Sequence, residues 1–261
     1  SPPGTAPKTP RGKGRRGATR QAYLSGALAR GRPSARRQWA WLRVEGWGAR
    51  AERLAGRVKA LFYAGYVAAL LLLTLPPLWG LLLLAPRGRP ADRIVRLWCR
   101  LVLALSGCPL RVEGLENLLG IGPAVFAANH ASYLDSVVLL AALPVEFAFI
   151  AKRELLSWPV VGTVIRKVGH LPVERADLAR SVADAERARA LLHAGTSLLF
   201  FPEGTFARPP GILPFRLGCF KAAVETGRPL IPVTIRGTRE ILPDGTWLPR
   251  RVVVTVAIGA P

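Results

Sequence analysis

The chain has 261 residues, half of them hydrophobic, and a formal net charge of +21. This length accommodates one α/β domain plus accessory segments. Three cysteines (99, 108, 219) and three histidines (130, 170, 193), with no Cys-x-x-Cys pair, argue against a disulfide framework and against a zinc site built from clustered ligands. No metal and no resident cofactor are expected, and the thiols fit a reducing, cytosol-facing environment.

The charge is unevenly placed. Residues 1–59 hold 15 Lys/Arg against Glu45 and Glu52, so +13 of the +21 lies there. Residues 1–38, rich in Pro, Gly, Ser and Arg without an apolar period, are read as a disordered basic tail. Tyr23 is the sole aromatic before Trp39, which disfavours nucleic-acid binding and leaves attraction to anionic lipid headgroups as the preferred reading. With Ser1 at its start and no methionine, the sequence is not expected to be a primary translation product.

Residues 39–108 are read as membrane-docking helices. Ala60–Pro86 is almost uncharged, and as one helix it would measure ~40 Å against a hydrocarbon core of ~30 Å. Pro76-Pro77 interrupts it, and two prolines break the hydrogen-bond ladder. Both flanks are basic (Arg57, Lys59; Arg87, Arg89), so charge assigns no direction of insertion. A membrane-embedded helical hairpin turning at the prolines is the expected arrangement, with a kinked single span second. A signal peptide is disfavoured because the run begins sixty residues in and lacks a cleavage site. Ala91–Ser106 follows as a basic amphipathic helix. Ile94, Val95, Leu97, Trp98, Leu101, Val102 and Leu105 share an arc opposite Arg93, Arg96 and Arg100, a pattern suited to a membrane surface or to packing on a domain.

From residue 109 to 261, short apolar runs alternate with amphipathic stretches. Strands are expected at 110–112, 124–128, 146–151, 170–173, 197–201, 230–235 and 252–258. Helices are expected at 132–143, around 155–167, at 178–194 and at 215–225. This alternation predicts an α/β domain, a layered and mostly parallel sheet with flanking helices, whose ligands bind beyond the C-terminal strand ends.

Two motifs leave such ends. Asn129-His130-Ala131-Ser132-Tyr133-Leu134-Asp135 follows the second run. Five residues place His130 and Asp135 about 140° apart on an ideal helix, so they pair if His130 precedes the helix, with Ser132 as N-cap and Asp135 in the first turn. A carboxylate there would set the tautomer of a histidine that removes a proton from a hydroxyl. A loop histidine beside a capping Asp is the plainer alternative. Pro202-Glu203-Gly204-Thr205 follows the fifth run and offers either a carboxylate and close-approaching backbone for hydroxyls, or only a tight turn. Arg175, and equally Lys152 and Arg153, end other strands within reach of a phosphate. His170, His193 and Cys219 are read as structural. No Gly-rich nucleotide loop and no Gly-x-Ser-x-Gly elbow is present.

In order and spacing, NHASYLD, GHLPVER, FPEGT and IPVTIRG resemble the four blocks of the lysophosphatidate/glycerol-phosphate acyltransferase family, over residues 110–261. The resemblance implies His130 as general base and Asp135 as its partner. It implies Arg175, Glu203 and Gly204 at the glycerol-phosphate site and Pro232 near the acyl donor; Thr205 and Lys152 are expected beside them as further substrate-binding residues. The implied partners are a phospholipid membrane, a lysolipid acceptor, and acyl-CoA or acyl-carrier protein as co-substrate. The implied location is the cytoplasmic face of the cell membrane. One departure stands out: Phe206 occupies the place where the family's third block commonly continues with a phosphate-holding arginine. Arg208 or Arg216 is then the substitute, or the acceptor is not lysophosphatidate. A thioesterase or lysophospholipid hydrolase, and a non-enzymatic basic membrane scaffold, are the rival readings.

Overall fold

The computed structural model describes residues 16–25, 35–174, 178–205, 211–242 and 247–261. The chain divides into two compact units, Ser1–Lys59 and Ala60–Pro261. In the first, Arg16–Leu24 is helical, and the long helix Ala35–Leu84 begins. The expectation of disorder over 1–38 is thus corrected for 16–24 and 35–38. Ala18, Arg20, Gln21, Ala22 and Leu24 are good helix formers, and the Gly and Pro residues that argued for disorder mostly lie elsewhere.

Within Ala60–Pro261, seven strands form one sheet in the order β1-β7-β6-β2-β5-β3-β4. They are β1 (Leu110–Glu113), β2 (Val125–Ala128), β3 (Phe147–Lys152), β4 (Leu171–Val173), β5 (Ser197–Phe200), β6 (Leu230–Arg236) and β7 (Val254–Ile258). All neighbours run parallel except β6 and β7. Each lies where an apolar run predicted it, because buried strands of a parallel sheet need apolar side chains on both faces. Phe126, Leu199, Ile231, Val254 and Val256 point to one face, beneath helices Arg89–Ser106 and Asp135–Ala142. Val125, Ala148 and Leu198 point to the other, beneath helices Leu178–His193 and Gly218–Thr226. Leu199 is fully buried, and cutting such a leucine to alanine costs about 2–5 kcal/mol. The helix expected around 155–167 is divided into a 3-10 turn (Arg153–Ser157), an α-turn (Pro159–Val164) and a π-turn (Ile165–Gly169). Pro159 starts the α-turn, and Gly162 lets it approach so closely that a Cβ there would sit 2.3 Å from the Leu156 carbonyl oxygen.

A helical hairpin does precede the sheet, but not the one expected. Helix Ala35–Leu84 continues through Pro76 and Pro77, and the chain turns instead between Leu84 and Arg89. The second arm is the amphipathic helix. Antiparallel packing is pinned by Tyr63 Oη donating to Ser106 O (2.8 Å) and Tyr66 Oη to Leu105 O (2.9 Å). Two prolines cost an isolated helix about 3 kcal/mol each, but Leu78 and Leu82 lie buried against Ala91, Val95 and Cys99, and this packing outweighs the local penalty.

The amphipathic helix is oriented against the usual rule. Arg96, expected on the polar face with Arg93 and Arg100, is buried. Its Nε donates to Asp92 Oδ2 at 2.6 Å, its Nη1 to Leu143 O at 2.6 Å, and its guanidinium lies over the Phe147 ring. Leu97, Leu101 and Leu105 face outward, 67%, 47% and 46% exposed.

Candidate active site

The site is assembled where β2, β5 and β6 end. Asn129, just past β2, uses its side-chain amide as a peptide would. Its Oδ1 accepts from Ile235 N at 2.7 Å, and its Nδ2 donates to Ile235 O at 3.1 Å. That pair extends β2–β6 pairing by one residue and fixes the direction in which the chain leaves the sheet. Nothing in the local sequence pattern singled out Asn129 for this role.

His130 comes next. Its Nδ1 and Asp135 Oδ2 are 2.8 Å apart, and Asp135 is fully buried. The same oxygen accepts from Ala131 N (2.7 Å) and Ser132 N (2.9 Å). With Nδ1 donating to this carboxylate oxygen, Nε2 is the nitrogen left to accept a proton. The regular helix starts at Asp135 rather than at Ser132, and Ser132 Oγ accepts from Leu134 N instead of capping the helix. The expected reciprocal bond, Asp135 back to Ser132 N, is present.

The imidazole is held from its flat side too. Its ring stacks on Phe201 (4.1 Å between centroids, 18° between planes), and Phe201 stacks on Phe149 (6.0 Å, 12°). His170 closes the row edge-on to Phe149, and its Nδ1 accepts from Phe149 N. Burial, reinforced by the Arg96 charge, pushes the His170 pKa down to about 3, so it stays neutral and structural, as the sequence reading held. The aromatic row escaped that reading, since its four members come from four separate strands, just after β2 and β5, within β3 and just before β4.

Glu203 is brought to His130, but in an unexpected way. The carboxylate is buried; Oε1 accepts from His130 N at 2.9 Å, and Oε2 from Leu213 N at 2.9 Å. The sequence reading offered it to substrate hydroxyls; in the folded chain it ties together two backbone segments of the site. Gly204 follows with φ +72°, a conformation that a side chain would strain. Thr205 is exposed at the end of the turn.

The other expected site residues fall as follows. Lys152 ends β3 at the same end of the sheet, exposed and paired with Glu154 at 2.9 Å. Its neighbour Arg153 is drawn to Asp184. Pro232 lies within β6 opposite Ala127. Alternation along β6 sets it on the exposed face, away from buried Ile231 and Val233. Arg175, Phe206 and Arg208 lie outside the described residues. Among the described residues, no group of three His, Cys, Asp or Glu side chains is arranged to hold a metal ion. Burial raises the Cys219 thiol pKa and pushes that of Cys99 up to about 12, which makes both poor nucleophiles.

A mostly parallel-sheet domain with a carboxylate-anchored histidine at its strand ends is an arrangement suited to base catalysis. Residues 109–236 match the Acyltransferase family model. A chloroplastic 1-acyl-sn-glycerol-3-phosphate acyltransferase of Arabidopsis thaliana is 33% identical over 202 residues, covering 74% of this chain and 56% of that protein. The alpha 1-acyl-sn-glycerol-3-phosphate acyltransferase of Homo sapiens is 31% identical over 180 residues, covering 68% and 62%. The crystal structure of the 1-acyl-sn-glycerophosphate acyltransferase of Thermotoga maritima aligns with a TM-score of 0.65 at 25% identity, covering 78% of this chain and 86% of that one. Residues 109–236 thus form a domain of the Acyltransferase family. The chain spans 56% and 62% of the length of the two curated relatives named.

Proposed function

We propose that this chain is a membrane-docked O-acyltransferase that acylates lysophosphatidate, drawing the acyl group from the thioester of acyl-CoA or acyl-carrier protein. The contact between His130 Nδ1 and buried Asp135 carries the reading. His130 Nε2 takes the proton of the acceptor hydroxyl as its oxygen attacks the thioester carbonyl. The tetrahedral intermediate collapses with loss of the thiolate, which takes the proton back from the imidazolium. The products are an ester and a free thiol, with no covalent acyl-enzyme. Base catalysis and positioning together lower the barrier. The names of the relatives support the lysophosphatidate acceptor.

Docking on one leaflet is the membrane reading we favour. Glu52–Leu84 is long and apolar enough to cross a bilayer. The stretch of it from residue 63 to residue 83 is about 30 Å long, as long as a hydrocarbon core is thick. Yet both ends touch the same α/β domain. Arg251 lies over the Tyr63 ring, while Lys167 Nζ donates to Leu83 O and Ala85 O. A helix crossing the bilayer would carry one end away from that domain. The outward leucines of both arms support burial in one leaflet, and the three buried free thiols support a cytoplasm-facing side.

The test is acyl transfer from labelled oleoyl-CoA and from oleoyl carrier protein to lysophosphatidate, comparing wild type with His130→Ala. Product from wild type, reduced roughly 10²–10⁴-fold in the variant, is expected. Undiminished activity in His130→Ala would remove the assignment. Acyl release independent of acceptor would favour the hydrolase.

A further inference from the structure

An anionic acceptor needs a cation beside the base, and several nearby cations are already engaged. Lys152 is paired with Glu154, and Arg153 and Arg187 with Asp184. Arg216 differs. It is exposed and has no carboxylate partner among the described residues. Its backbone N–H donates to Pro202 O at 2.8 Å, which ties its segment to the Pro-Glu-Gly turn. Its side chain lies across Gly204: a Cβ on that glycine would come within 2.8 Å of Arg216 Nε and 3.2 Å of its Cζ. The absence of a side chain at 204 therefore makes room for a guanidinium.

The buried carboxylate of Glu203 adds the link to the chemistry. One of its oxygens holds His130 N and the other Leu213 N, three residues before Arg216. A single side chain thus sets the base and the arginine-bearing segment in register. Phe215 stacks on Phe220 of the following helix (6.4 Å, 27°) and steadies the same segment.

The geometry points to Arg216 as the residue that holds the acceptor's phosphate and selects an anionic acceptor. This rests on the acyltransferase reading of the site and names its headgroup contact. A planar guanidinium binds a phosphomonoester through two parallel N–H···O bonds, whereas a lysine offers only a point charge. The acyl donor also carries phosphates when it is acyl-CoA, so the test must tell the two sources apart.

The experiment uses the full chain in phosphatidylcholine vesicles as wild type, Arg216→Ala and Arg216→Lys. KM is measured for 1-oleoyl-lysophosphatidate, for uncharged 1-oleoylglycerol and for oleoyl-CoA or carrier-protein donor, alongside the thermal midpoint. Expected for Arg216→Ala is a rise of about tenfold or more in lysophosphatidate KM, the scale of one charge-assisted contact. The 1-oleoylglycerol and donor KM values and the thermal midpoint should stay at wild-type levels, and Arg216→Lys should recover part of the loss. An unchanged lysophosphatidate KM overturns the inference. So does an equal loss with both acceptors, which marks a structural role, or a rise confined to acyl-CoA KM, which assigns the contact to the donor. If wild type itself transfers nothing to lysophosphatidate from either donor, the activity reading fails first, and that result is distinct from the three above.

Discussion

The hairpin and the catalytic end of the sheet each bury an aspartate beside a nitrogen base, and the two pairs do opposite things. In the hairpin, Asp92 and Arg96 are 2.6 Å apart with side-chain exposures of 8% and 9%. The pair closes on itself beneath the helix while Leu97, Leu101 and Leu105 face outward. At the catalytic end Asp135 is as deeply buried, but its partner His130 keeps 17% of its side chain exposed. One carboxylate removes charge from an outer surface; the other holds an imidazole that stays partly exposed, as the proposed base must. Burial of an acid therefore does not mark a catalytic group unless its partner is left accessible.

Three variants break or sharpen this contrast. Asp135→Asn should have the largest effect, lowering kcat roughly 10²–10⁴-fold because the Nδ1 tautomer is no longer enforced, with little change in thermal midpoint relative to the loss in rate. A wild-type kcat would make Asp135 no more than a structural residue like Asp92. Arg96→Ala should do the reverse. It leaves Asp92 buried without its charge partner and costs about 3–5 kcal/mol of stability, read by denaturant unfolding, while residual folded enzyme keeps its kcat. A small loss would mean that water reaches Asp92. The smallest effect should come from Leu97→Asp with Leu101→Asp. Each leucine contributes about 1.5–3 kcal/mol if it enters an apolar phase, so vesicle binding should fall steeply while the folded state persists in detergent-free buffer. Binding that survives the double substitution would mean that the outward face does not meet lipid.

The seven strands were legible because each is a short apolar run between turn residues, a local signal that the packed sheet then reinforces. The His130–Asp135 pair was legible for a related reason, since a strand end followed by a capping pattern brings residues five apart together. For Glu203 the sequence offered a candidate but not its contacts. Its spacing from His130 says nothing about which oxygen meets which backbone N–H, and only the folded chain brings Leu213 and His130 to one carboxylate. Pro76-Pro77 failed as a break for the converse reason. The cost of proline is local and readable, whereas the burial of Leu78 and Leu82 against the second arm is not.

By itself, then, the sequence determined the α/β class, the strand positions, the histidine–aspartate pair and the apolar character of the segment before the domain. All of these follow from side-chain periodicity and contacts within a few residues. The tertiary structure decided where the hairpin turns, that Arg96 faces inward and three leucines outward, that Asn129 and Glu203 fasten the catalytic loop, and that Arg216 lies across Gly204. Apart from Arg216, which lies twelve residues from Gly204, each of these depends on residues tens of positions apart or on the competition between a local cost and a distant packing gain. That balance is set only when the whole core closes.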